Sequence, residues 1–167
     1  MQTDLKHRSI LRLDPLSPRD LTAILASARA LQRAARTGGS PSLLRGKNLG
    51  LLCEAEDGDD ARSFRRAAVD LGAHVAHIRP SLSDRSTPQE VQHTARMLGR
   101  LYDAVECQGM PSLLVKRVGI EAGVPVFDAI SSQDGPMAGL AELLDEGDTT
   151  ADRHHFVLQA VLLSTIG

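Results

Sequence analysis

Between an apolar run ending at Cys53 and a helical pattern beginning near Asp60, five carboxylates fall within seven residues: Glu54, Glu56, Asp57, Asp59 and Asp60. Clustered oxygens suit hard cations such as Mg²⁺ or Ca²⁺, or an organic cation such as a polyamine or a guanidinium compound. Asp57-Gly-Asp-Asp60, however, lacks the spaced donors of a calcium loop. The simpler expectation is that Asp59 or Asp60 caps the following helix, with the other acids solvated beside Arg62, Arg65 and Arg66.

The other reactive side chains form no metal or nucleophile pattern. His154 and His155 are adjacent, so on a helix they diverge by about 100° and are poorly placed to chelate one ion; a surface or interface position is expected. His74 and His77 fall on opposite sides of a strand. Cys53 and Cys107 have neither Cys-x-x-Cys spacing nor a flanking base, and are expected to be small core residues near strand ends. No metal and no cofactor is expected.

These groups are carried by an alternating pattern of elements. Ser17-Pro-Arg-Asp20 supplies a cap, a proline at the first helical position and an acid three residues on, opening a helix that runs to about Arg36. Thr37-Gly-Gly-Ser-Pro41 breaks it, and Lys47–Cys53 reads as a first strand. A helix over Asp60–Leu71, a strand over Ala73–Ile78, a helix opened by Thr87-Pro-Gln-Glu90 and a strand over Asp103–Cys107 follow. A helix over Pro111–Ala122 stops at Gly123, before a fourth strand at Val124–Phe127 and a helix over Pro136–Leu144.

Such alternation with short connections predicts an α/β fold, a doubly wound four-stranded parallel sheet flanked by helices. Ligands of such sheets bind beyond the carboxyl ends of strands, where strand order reverses. Three segments qualify: Glu54–Asp60, Gln108–Met110 and Asp128–Gly135.

Composition excludes several classes of partner. With 167 residues and 42% hydrophobic content the chain can bury one core, while a net charge of −2 provides no field to attract nucleic acid or an anionic membrane. Only 2% of residues are aromatic and none is Trp, so base-stacking platforms are not expected. No membrane span or signal-peptide run is evident, and a cytoplasmic location is expected.

From about Ile10 to Gly167 the chain resembles the aspartate and ornithine carbamoyltransferases, the ornithine enzymes more closely. The resemblance is carried by Leu21–Leu31 with Leu44-Arg-Gly-Lys-Asn-Leu-Gly-Leu-Leu52, by Thr94-Ala-Arg-Met-Leu-Gly-Arg-Leu-Tyr-Asp103, and by Gly123-Val-Pro-Val-Phe-Asp128. It implies a carbamoyl-phosphate domain over residues 1–148, with residues 149–167 as the family's closing helix packed on the same domain. The family's amino-acid domain has no counterpart between them.

The family's Ser-Thr-Arg-Thr-Arg phosphate turn falls on Asp57, Gly58, Asp59, Asp60 and Ala61, so both arginines and both threonines are replaced. A ligand-contacting arginine falls on Gln108, and the His-Pro-x-Gln motif on Gly135-Pro-Met-Ala138, where only the proline is kept. A loop that a neighbouring subunit contributes in the family falls near Ser83-Asp84.

The resemblance therefore implies a noncatalytic relative with a degenerate carbamoyl-phosphate site at Asp57, Gly58, Asp59, Asp60, Gln108, Gly135 and Ala138. It further implies a homo-oligomer, a trimer by analogy, that could associate with a full-length carbamoyltransferase as a binding or regulatory protein. The alternatives are a divergent ornithine/aspartate-type carbamoyltransferase with an altered or partner-completed site, and a receptor for a small cation or cationic metabolite.

Overall fold

A computed structural model describes residues 5–39 and 42–167. The predicted break after the first helix is seen as far as Gly39; Ser40 and Pro41 lie outside the described residues, as do residues 1–4. The order is α1 (Pro18–Arg36), β1 (Asn48–Leu52), α2 (Asp59–Asp70), β2 (His74–Ile78), α3 (Pro88–Leu101), β3 (Ala104–Cys107), α4 (Ser112–Ala122), β4 (Val126–Asp128), α5 (Pro136–Ala141) and α6 (Thr150–Ile166).

Local chemistry sets most of these limits. Ser17 accepts from Asp20 N–H while the Asp20 carboxylate accepts from Ser17 N–H, both at 3.1 Å, so the reciprocal cap starts α1 as expected. Thr87 caps α3 through Glu90 N–H at 3.1 Å. Gly123 ends α4 with φ of 74°, a left-handed turn that a side chain would oppose. The fifth helix is shorter than the sequence pattern suggests, giving way to turns after Ala141.

All four strands are parallel, in the order β2-β1-β3-β4. Alternate strand residues feed two cores. Leu49, Leu51, Ala104 and Phe127 join a core built with α1, α2, α5 and α6, whereas Leu52, Val105, Cys107 and Val126 join one built with α3 and α4. Ile10 continues the sheet beside β4, donating to Val126 O at 3.0 Å and accepting from Asp128 N–H at 2.9 Å, which covers that edge.

The two helices on the second face approach closely. A Cβ placed on Gly99 would stand 1.8 Å from Ala122 O, so only glycine permits this α3–α4 crossing. On the other face α6 is buried along most of its length, with Val157, Leu158, Val161 and Leu162 fully enclosed. No helix among the described residues is long and apolar enough to cross a membrane.

Candidate functional site

From β1 the chain moves outward to β2 and then crosses back to β3, so strand order reverses between β1 and β3. A cavity of about 450 Å³ opens at their carboxyl ends, with Glu54, Gly58, Asp59, Asp60, Gln108 and Gln133 on its walls. The loops after β1, β3 and β4 thus converge as the topology rule requires. Among the described residues, no Arg, Lys or His lines this cavity.

The seven predicted positions separate into two groups. Gly58, Asp59, Asp60 and Gln108 wall the cavity, while Asp57, Gly135 and Ala138 do not. Asp57 is exposed, and its carbonyl accepts from Arg62 Nε at 2.8 Å. Gly135 is the N-cap of α5, and Ala138 lies within that helix. Ser83 and Asp84 are exposed in the connection from β2 to α3.

The expected carboxylate cap is not formed. Gly58, extended at φ −68° and ψ 157°, is the N-cap of α2, and no side chain caps that helix. Asp59 and Asp60 are already helical in its first turn, where their charge favours the helix dipole without occupying the capping position. The nearby arginines brace the turn rather than merely coating a face: Arg65 lies 3.5 Å from Glu56, and Arg66 lies 3.3 Å from Asp152 at the start of α6.

The expected surface position of the paired histidines is also not found. His154 and His155 are 3% and 9% exposed, because α6 turns this end inward against α2. Burial lowers both imidazole pKa values; Asp60 opposes the shift at His154, whereas Arg66 adds to it at His155 and Asp70 opposes it. A pair of polar residues just before a long apolar run gave no sign of this depth. His77 reaches the Cys53 carbonyl at 2.7 Å, tying β2 to the end of β1.

Cys53 and Cys107 are both free and buried, but they belong to the two opposite cores. Their strands are adjacent, with Leu52 in register with Cys107, yet the thiols lie on different sides of the sheet. Burial raises both thiol pKa values. This environment opposes thiolate chemistry.

Sequence reasoning missed Glu106, whose signal was a lone carboxylate in the run Ala104-Val-Glu-Cys107. Glu106 is completely buried and is joined to the site through the side chain of Gln108. It accepts from Ile130 N–H at 3.1 Å, Ser131 N–H at 3.3 Å, the Ser131 hydroxyl at 3.0 Å and the Gln108 amide at 3.2 Å. Burial pushes its carboxyl up to about 7 against the pull of these donors. Gln108 therefore turns from the cavity wall toward Glu106 and Ser131.

Residues 8–145 match the family model of the aspartate/ornithine carbamoyltransferase carbamoyl-P binding domain. The chain belongs to the aspartate/ornithine carbamoyltransferase family. It is 36% identical over 144 residues to an ornithine carbamoyltransferase of Actinobacillus pleuropneumoniae, covering 86% of this chain and 43% of that relative. A catabolic ornithine carbamoyltransferase of Mycoplasma capricolum is 35% identical, with 86% and 46% covered.

Among solved structures, the ornithine carbamoyltransferase of Pyrococcus furiosus superposes with a TM-score of 0.71 at 25% identity, over 84% of this chain and 45% of its own. Aspartate transcarbamoylase of Trypanosoma cruzi, solved with N-(phosphonacetyl)-L-aspartic acid, shares the fold at a TM-score of 0.64 and 22% identity, with 83% and 44% covered. This chain thus spans less than half the length of these relatives.

Proposed function

We propose that this chain is a noncatalytic carbamoyltransferase-like protein that keeps the family's scaffold as an oligomerising binding or regulatory module. The observation that carries this reading is the wall of the switch-point cavity, which presents Glu54, Asp59 and Asp60 and, among the described residues, no basic side chain. A phosphate dianion placed there meets like charges, each opposing it by about 1–4 kcal/mol at 4 Å in water-like to surface-like dielectric. The α2 dipole offsets only about 0.3–1 kcal/mol, and the carboxylates of Asp59 and Asp60 already occupy its positive end.

The short connection over residues 142–149 supports the same reading, since it joins α5 directly to α6. A family amino-acid domain at this point would need far more chain. Oligomerisation, with a trimer favoured by family analogy, is supported by apolar side chains left exposed on α3 and α4: Leu101 at 58%, Leu113 at 65% and Ile120 at 71%. A full-length carbamoyltransferase is the proposed hetero-partner and the cytoplasm the proposed location.

Calorimetric titration with carbamoyl phosphate, joined to assays for citrulline, carbamoyl-aspartate and phosphate with ornithine or aspartate present, tests the reading. Neither saturable heat nor turnover is expected. Turnover that disappears on Asp59→Ala or Gln108→Ala would establish a divergent enzyme instead. Light scattering showing only monomer would refute the retained assembly.

The same acidic wall supports a second reading, a receptor for a small organic cation. Among the described residues no group of three or more His, Cys, Asp and Glu is placed to hold a metal ion, so an amine or guanidinium compound fits better. A thermal shift with spermidine, arginine or ornithine that is lost in Asp59→Asn would establish it. No shift at millimolar concentration would exclude it.

A further inference from the structure

Behind the cavity, two acceptors compete for one proton. Ser131 Oγ lies 2.8 Å from the Asp60 carbonyl oxygen and 3.0 Å from Glu106 Oε2, and receives the Gln108 amide at 2.7 Å. A hydroxyl has a single hydrogen to donate. When Glu106 is ionised, both neighbouring oxygens offer only lone pairs, and the charged carboxylate forms the stronger bond, so the hydrogen leaves Asp60. When Glu106 takes a proton from solvent, its O–H donates to Ser131 Oγ. The Ser131 hydrogen then goes to Asp60, while the other oxygen lone pair keeps Gln108.

We propose that Glu106 is a proton-operated latch between the acidic turn at the start of α2 and the loop from β4 to α5. Proton uptake fastens the two segments through Ser131, and proton loss releases the Asp60 carbonyl. The device acts on the floor of the candidate site, because Asp60 and Gln108 are also cavity residues. It stands whether or not the noncatalytic reading holds.

The surroundings favour this cycle. Glu106 is fully enclosed, and no basic side chain among the described residues hydrogen-bonds to it. Cys53 at the end of β1 and Cys107 beside it are neutral thiols whose pKa values are raised. Asp128 stands opposite Cys107 in β4 and adds no positive charge. From α6, His154 acts on Asp60, but burial keeps its imidazole from protonating at neutral pH. The Glu106 carboxyl, raised to about 7 by that burial, changes state near neutrality.

The test is a carbon-13 titration of the full chain, following the Glu106 carboxyl and the Asp60 backbone carbonyl between pH 5 and 9. The two resonances are expected to move with one midpoint near neutrality, and in Ser131→Ala the Asp60 carbonyl is expected to stop following Glu106. Amide exchange, corrected for its intrinsic pH dependence, is expected to rise roughly two- to tenfold in residues 59–64 between pH 6 and 8, the scale of one lost hydrogen bond, while Ile130 and Ser131, whose N–H groups donate to the Glu106 carboxylate, are expected to exchange more slowly. In Glu106→Gln both changes are expected to vanish. A Glu106 midpoint in the ordinary carboxyl range, or an Asp60 carbonyl that ignores the Glu106 titration, overturns the latch. Both resonances are read in the wild-type chain, so the test survives a variant that fails to fold.

Discussion

Replacing Glu106 with Gln should reverse its effect on stability as pH rises. The folded-state carboxyl stands at about 7 against an ordinary 4.5, so the folded chain holds this proton more tightly than the unfolded chain. The associated stability is complete below the unfolded value, falls as pH rises toward 7, and is gone above it. The difference corresponds to about 3 kcal/mol, of which about 2 kcal/mol or more is lost between pH 5 and 8.

The amide side chain introduced by Glu106→Gln cannot ionise and escapes this loss. Its nitrogen also cannot accept from Ser131 N–H and Gln108 as Glu106 Oε2 does, which costs about 1 kcal/mol at every pH. Urea unfolding should therefore find the variant less stable than wild type at pH 4, about equal near pH 5 and more stable at pH 8, with unchanged m-values. The histidines on α6, whose lowered pKa values remove stability as pH falls, are common to both chains and cancel in the comparison. Parallel stability–pH curves for the two proteins would refute the reasoning.

Three further outcomes follow from packing. Gly99→Ala should destabilise the fold by about 1–3 kcal/mol or more, since its Cβ meets Ala122 O at 1.8 Å; an unchanged thermal midpoint would mean that α3 and α4 do not cross as described. Phe64→Ala should cost about 3–5 kcal/mol in urea unfolding, because its ring is fully enclosed between α2 and the sheet. Cys53 and Cys107 should react with a maleimide only after denaturation and form no mutual disulfide under mild oxidation, as mass spectrometry would report; rapid labelling of the native chain would contradict their burial on opposite faces.

The sheet and its helices were legible because their signals are local. Ser17 and Thr87 with their following prolines and acids mark helix starts, Gly123 marks a stop, and the short apolar runs between them read as strands, largely buried in β1, β3 and β4 and partly exposed in the edge strand β2. The strand–helix alternation then determines parallel pairing and converging loops, so the switch-point cavity beside Gly58, Asp59, Asp60 and Gln108 was accessible to sequence reasoning. The acidic character of that cavity is likewise a property of the chain alone.

Tertiary structure decided what those residues face. Whether Asp59 caps a helix or begins it depends on a backbone turn of one residue, and Gly58 takes the capping position. His154 and His155 are buried because α6 packs along α2, a contact between segments far apart in sequence. Glu106 is one carboxylate in a short strand until folding brings Gln108, Ser131 and the Asp60 carbonyl around it. Side-chain periodicity encodes which face a residue takes, but the dielectric and the hydrogen-bond partners on that face come from distant segments, and those set a proton's affinity.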